Sequence, residues 1–472
     1  MGGPGRGSRL AAALAAVALA AAALAACGGG GSGDDAAPAG DQAECPVDAL
    51  RGAKKPVTIR FWNVLARDNL DELRRQTKEF NSSQDDVRVQ LVQVTGYPDL
   101  LTKYKAGLNT GSGDLPDLAG FEETTVQTLL DSHSTVMIQS CVDRDHYPLD
   151  DFIPRTISYY SVGGKLRAMP WTISNPVLMY NPAAFRKAGL DPAKPPRTLA
   201  EVKEYSKRIV AAGAAKHGIS LKIAPYMLEF LYAKSGQAYV NNGGGREARA
   251  TKALLDNPIG RAIWGWWKDM VSSGLAMNNG SDPDSYDHLI AIATGDSAMT
   301  FEASGAFGPI RAVLDSGQYP GVEVAAAPLP SLKGGGGVPV GDGAIWITSK
   351  TSPAKQAAAW EYVKFLVDSK QVAALSSRTG YVPIRRSAAA APGVQDLWRR
   401  RPEFKIPYTQ LLAQGGPAAD GSVIGDYQGV RDAVADGMVA MLTRGLTPAR
   451  ALAQAQAQAD RAIREYNERV GA

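Results

Sequence analysis

Histidine and cysteine are scarce in this chain: its 472 residues hold four of the first and three of the second. His133, His146, His217 and His288 are never spaced four apart, and no cysteine or carboxylate cluster accompanies them, so no zinc-type site is written in the sequence. No G-x-S-x-G elbow occurs, and GDSAM at 295–299 lacks the closing glycine. The glycine run KGGGGVPVGDG at 333–343 lacks the GK[ST] ending of a phosphate loop and reads as a flexible turn. Paired carboxylates are not excluded by inspection, but nothing points to them. An excess of one charge is also missing. The formal charge is +4, and removing residues 1–26, with two arginines and no acids, leaves +2, which gives no reason to invoke nucleic acid. Beyond the N terminus, no apolar stretch approaches membrane length.

What is present begins with an address. Arg6 and Arg9 precede an uninterrupted, alanine-rich apolar run from Leu10 to Ala26, the layout of a secretory signal peptide. Seventeen residues lie at the bottom of the range that spans hydrocarbon, and alanine is barely apolar enough to hold the span. Leu24-Ala25-Ala26-Cys27 resembles a bacterial lipobox, which implies cleavage before Cys27, acylation of its sulfur and a lipid anchor on the outer face of the cell membrane. Gly28 to Glu44 is rich in Gly, Ser, Asp, Ala and Pro and cannot build a core, so residues 27–55 are expected to be a flexible tether. An exported chain meets an oxidising environment, where Cys45 and Cys141 form either one disulfide or two buried thiols.

The remaining length exceeds what one core usually holds. Val57, Ile59 and Phe61 alternate with polar or outward residues, as do Val87, Val89 and Leu91, and helical patterns run over 69–80 and 98–108. With a short strand at 116–121 this is β-α-β-α-β, which predicts an α/β fold with a mostly parallel sheet and ligands at the carboxyl ends of its strands. The pattern restarts after Gly164 with 165–173 and VLMYN, then helices over 198–212 and 258–273. Strands near 322–327 and 344–348 have too little between them for a domain and are expected to return to an earlier sheet. The stripe Leu452, Ala455, Ala459, Ile463, Tyr466, Val470 and the pair Trp264 and Trp267 read as core, whereas Trp266 points off that face toward a cleft.

The segment 152–202, from FIPRTISYYSVGG through VLMYNPAAFRKAGLDPAKPP, resembles family 1 extracellular solute-binding proteins of ABC importers. GDSAMTFEASG (295–305), GDGAIWITSKTSPAKQAAAWEYVKFL (341–366), TGYVPI (379–384) and GVRDAVADGMVAMLTRGLTPARAL (429–452) agree in order and spacing. YYS, AGLDP-PP, TGYVPI and the late Arg431 resemble the branch that binds glycerol-3-phosphate and glycerophosphodiesters. The resemblance implies a two-lobed periplasmic-binding-protein fold of type II, each lobe a mostly parallel sheet flanked by helices, with the cleft between. It places lobe 1 at 56–167 and 327–372, lobe 2 at 168–326 and 373–472, and chain crossings near 165–170, 325–328 and 367–373. It implies a binding protein and no enzyme, no cofactor and no metal, a monomer whose partners are a small solute and the permease and ATPase of an importer.

Carried over, the ligand-facing positions are Tyr97, Glu123, Ser174, Ser304, Gly305, Gly341, Tyr381 and Arg431. Arg431 offers a planar fork to phosphate; Ser174, Ser304 and the N–H groups near Gly305 add donors at a helix start; Glu123 accepts from hydroxyls; Tyr97 and Tyr381 give flat walls. The bland readings are a surface arginine, a Ser-Gly helix cap and a core tyrosine. KIAPY (222–226) lacks the branch's tryptophan, and Asp342 and Glu302 stand where small residues are commoner. Extra acids repel a phosphate dianion, which favours a glycerophosphodiester such as glycerophosphocholine. Rival expectations are a sugar binder using Trp62, Trp171, Trp266 and Glu123, a lipid-anchored hydrolase, and a structural lipoprotein.

Overall fold

A computed structural model of the chain describes residues 42–472 apart from 112–113, 283–284 and 414. The expected signal peptide, Cys27 and tether residues 27–41 lie outside the described residues. The last part of the expected tether is not loose. Ala43 pairs with Val136, Val47–Leu50 forms a turn of 3-10 helix, and Cys45 is disulfide-bonded to Cys141.

Two five-stranded sheets organise the rest. The first has β1 (Val57–Asn63), β2 (Val87–Gln93), β3 (Leu118–Glu122), β6 (Met169–Ser174) and β12 (Gly341–Ile347) in the order β2-β1-β3-β12-β6. The second has β7 (Pro176–Tyr180), β8 (Ile219–Leu221), β9 (Ala276–Asn278), β10 (Met299–Ala303) and β11 (Ala325–Pro328) in the order β11-β7-β10-β8-β9. A hairpin of β4 (Ser161–Val162) and β5 (Lys165–Leu166) lies beside them. In each sheet one strand, β12 or β7, runs against the other four. Parallel neighbours demand helical crossovers, and long crossovers bury both faces, hence β6 and β7 buried along their whole length and β3 buried up to Glu122. The expected return of a late strand is β12, inserted between β3 and β6.

Local chemistry sets the helices. Arg67–Ser83 buries Leu70, Leu73, Thr77 and Phe80 at spacings of three and four, one stripe of a 3.6-residue period. Thr198 and Glu201 form a reciprocal capping box for Leu199–Ala211, and Asp426 caps Tyr427–Thr443 through the Gly429 N–H. Trp264 and Trp267 are core, and so is the C-terminal stripe apart from Val470, which lies past the helix end and is exposed.

The crossings fall later than expected. β6, assigned above to lobe 2, hydrogen-bonds into the first sheet, so the chain passes between sheets at the single residue Asn175. Asn175 is fully buried; its side chain donates to the Pro407 carbonyl at 3.0 Å and accepts from Gln410 at 2.7 Å. The second crossing is the segment 329–340, after β11 of the second sheet. The third follows Ser369–Thr379, because that helix stays with the first sheet's layer: Gln76 donates to the Gln371 carbonyl at 2.9 Å. The rims also touch, as Asp131 accepts from Arg249 at 2.6 and 2.9 Å and from the Tyr466 hydroxyl at 2.9 Å.

Candidate functional site

The carboxyl ends of β3, β6 and β10 converge with the amino end of antiparallel β12, which puts the loops after Glu122, Ser174 and Ala303 beside Gly341-Asp342-Gly343. Gly341 pairs with Ser174 and Gly343 with Glu122. A β-carbon at Gly343 would stand 2.9 Å from the Thr172 hydroxyl and 3.1 Å from that of Tyr97, so glycine is required for the walls to meet. One at Gly305 would stand 3.7 Å from the Asp342 carboxylate. Ser174, Gly305 and Gly341 therefore lie close to Asp342 and Tyr97 close to Gly343, and Tyr381 is near enough to Asp342 to feel its charge.

Asp342 takes a left-handed backbone conformation at φ 65°, a strained state for a residue other than glycine, although Asp and Asn bear it best. Its carbonyl accepts from the Tyr160 hydroxyl at 3.1 Å. Burial pushes its carboxyl up to about 6; Ser174's hydrogen bond pulls the other way, and Glu122 and Glu302 add to the rise. Burial, and then the Asp342 charge, likewise raises the phenols of Tyr97 and Tyr381 well above their usual value. Ionised Asp342 thus opposes folding. The stability it contributes is complete below about pH 4 and is lost as pH rises through about 6. Asp342→Asn should remove that loss, raising unfolding free energy at pH 7 by about 1–3 kcal/mol. Urea unfolding at pH 4.5 and pH 7 checks it: a variant no more stable than the parent at pH 7 contradicts the assignment.

Glu302 is pinned by three donors, the Tyr226 hydroxyl at 2.6 Å, His288 Nε2 at 2.5 Å and the Ala303 N–H at 2.7 Å. Burial alone would raise its carboxyl, but the hydrogen bond and charge of His288 outweigh it and hold it low.

Arg431 rises from the start of the second turn of its helix, Tyr427–Thr443, and is shared by two carboxylates. Nε donates to Glu229 Oε1 at 2.8 Å, and Nη2 donates to Glu123 Oε1 at 2.9 Å and Glu229 Oε2 at 3.2 Å. The guanidinium carbon stands 5.1 Å from the Tyr427 ring centre, and the Tyr427 hydroxyl donates to Glu229 at 3.1 Å. Burial costs the guanidinium its hydration, but Glu229 and Glu123 overcome that and raise it well above its usual value. Burial pushes Glu123 above the carboxylate range, against the pull of Arg431 and with Glu122 and Asp342 adding to it. Arg431 and Glu123, expected as separate contacts to phosphate and hydroxyl, are thus each other's counter-ions, and only Nη1 of the fork bonds no described residue.

Ser304 is fully buried, and its hydroxyl accepts from the Asn175 N–H at 3.3 Å. It fastens the crossing point, where a helix cap or a ligand donor was expected. No tryptophan lines the site among the described residues. Trp266 donates to the Leu199 carbonyl and stacks on Phe301, Trp171 packs on Phe61, and Trp62 is buried beneath Lys103. Glu229, Glu122 and the tyrosines 159, 226, 239 and 427 were not expected. Glu229 had a signal: it is an acid inside YMLEFLYAK, a helix otherwise almost wholly apolar.

A family model for bacterial extracellular solute-binding proteins matches residues 76–403. The sn-glycerol-3-phosphate-binding periplasmic protein UgpB of Brucella melitensis biotype 1 is 26% identical over 365 residues, covering 75% of this chain and 81% of the relative. That of Salmonella typhimurium is 24% identical over 418 residues, covering 87% and 93%. In structure, UgpB from Mycobacterium tuberculosis in complex with glycerophosphocholine aligns with TM-score 0.71 and 19% identity over 87% of this chain and 99% of that one. The cyclic alpha-maltosyl-1,6-maltose binding protein from Arthrobacter globiformis aligns with TM-score 0.70 and 21% identity over 87% and 100%. The two-lobed substrate-binding fold is common to both.

Proposed function

Because this chain belongs to the bacterial extracellular solute-binding protein family, we propose that it captures a glycerophosphodiester outside the cell membrane and hands it to the permease of an ABC importer. The observation that carries this reading is how the charges are committed: Arg431 is shared by Glu123 and Glu229, His288 is held by Glu302, and Glu122 and Asp342 add further carboxyl groups. A phosphate monoester dianion entering this space meets cations already engaged by carboxylates, Arg431 by Glu123 and Glu229 and His288 by Glu302. A diester carries one charge, which Nη1 of Arg431 meets, while Asp342, Ser174 and the backbone near Gly305 suit glycerol hydroxyls. Carboxylate acceptors for hydroxyls and tyrosine walls are the ordinary furniture of a polyol site. Relatives named for glycerol-3-phosphate support the broader glycerophosphate class, and a neighbour holding glycerophosphocholine supports the diester within it. The lipid anchor at Cys27 belongs to this proposal, as does action as a monomer.

One observation favours a neutral sugar instead. With Glu123 and Glu229 on Arg431, the committed phosphate ligand is partly spent, and a maltose-type binder shares the fold. Ligand-induced thermal shift separates the two. A diester at a hundred times its dissociation constant adds about 2.7 kcal/mol to the folded state; melting should rise with glycerophosphocholine and not with maltose or trehalose. A rise with a sugar alone overturns the diester.

A further inference from the structure

Beside the two carboxylates that Arg431 bridges lies a small, partly open cavity of ≈ 20 Å³, walled by Glu123, Tyr159, Glu229, Phe230, Tyr239 and Tyr427. That is room for about one water-sized group. Phe230 borders both it and the strand end that carries Asp342, since its ring tip lies 3.6 Å from where a β-carbon at Gly341 would be, and Pro339 and Val340, just before Gly341, line it too. The Tyr239 hydroxyl is buried with no hydrogen-bond partner among the described residues, a cost of about 1–3 kcal/mol that a native protein rarely leaves unmet. Glu123 accepts through Oε1 alone, and Glu229 Oε1 accepts a single bond, so both carboxylates keep acceptor capacity. The ring faces, by contrast, are engaged: Arg246 stands 5.0 Å over Tyr159, and Arg431 5.1 Å over Tyr427. Arg246 spends its donors on the carbonyls of Ser158, Ser161, Asp420 and Gly421.

We propose that this cavity is a head-group subsite that receives a terminal primary ammonium of the solute. Three N–H donors match three acceptors, Glu123, Glu229 and the Tyr239 hydroxyl, in a space of water size. A quaternary ammonium brings no donor, is larger, and finds two ring faces already covered. The inference rests on the diester reading and adds which head the diester bears: glycerol end beside Asp342, phosphate at the Nη1 edge of Arg431, ammonium beyond it.

Calorimetry of the purified protein with glycerophosphoethanolamine, glycerophosphocholine and glycerophosphoglycerol tests it. The ethanolamine head is expected to bind at least tenfold tighter than the other two. Ala233→Leu, which fills the cavity wall, should erase that preference while leaving glycerophosphoglycerol within about threefold. Tyr239→Phe, a change too small to threaten folding, should weaken the ethanolamine diester alone, by about threefold to tenfold. Equal affinities in the parent, a choline diester as tight as the ethanolamine one, or a preference that survives both variants overturns the subsite while the diester reading stands. Binding of none of the three overturns both.

Discussion

Arg431→Ala is expected to lower affinity for a glycerophosphodiester at least a hundredfold. One charge-assisted contact to phosphate is worth about 1.5–3 kcal/mol, and the variant also strands Glu123 and Glu229, which Arg431 bridges at 2.9 and 2.8 Å. Removing one partner of a buried pair costs about 3–5 kcal/mol, so the melting temperature should fall as well. Arg431→Lys separates the two effects. A lysine restores a charge between the carboxylates but presents a point where the fork was planar; stability should largely return while diester affinity stays at least tenfold down. Calorimetry with chemical unfolding reads both. A neutral sugar would lose affinity only in proportion to misfolding, and unchanged binding of a diester by Arg431→Ala would remove Arg431 from the site.

Breaking the Cys45–Cys141 bridge should have the next largest effect. It closes a loop with a sequence separation of 96, and a loop near that length restrains the unfolded chain by roughly 4–5 kcal/mol in the chain-entropy account, of which about 2–4 is usually realised. The double variant Cys45→Ser, Cys141→Ser should therefore unfold at lower urea by an amount of that size, with solute affinity within about threefold, because the bridge joins the N-terminal segment to the helix Ile138–Asp145, which carries none of the candidate site residues. Identical unfolding midpoints in oxidised and reduced parent protein would contradict it.

Much of this fold was legible because its signals are local. The alternation in β1 and β2 survives as buried and exposed positions, and the helix expected over 198–212 runs Leu199–Ala211 behind Thr198 as its cap. The crossing points were not. β6 and β7 are both buried along their whole length, so their composition cannot say to which sheet each belongs, and the switch rests on Asn175, one polar residue held by Gln410 and Pro407 from far along the chain. In the candidate site, Gly305, Gly341, Tyr97, Ser174 and Tyr381 were named one by one, and they lie close together around Gly341-Asp342-Gly343. The pairing of Arg431 with Glu123 and Glu229 could not, since three separate segments meet there. Trp171 and Trp266 misled for a related reason: an aromatic ring at a strand or helix face packs against whatever tertiary neighbour arrives, here Phe61 and Phe301.

The central claim is that this cleft accepts a singly charged phosphodiester and rejects a doubly charged monoester. Isothermal titration of the purified protein at pH 7.5 with glycerophosphocholine, glycerophosphoethanolamine, glycerol-3-phosphate and maltose tests it most directly. Saturable binding of a diester, at least tenfold tighter than glycerol-3-phosphate and with no heat from maltose, is the predicted result. Tenfold tighter binding of glycerol-3-phosphate, or saturation by maltose alone, would contradict it.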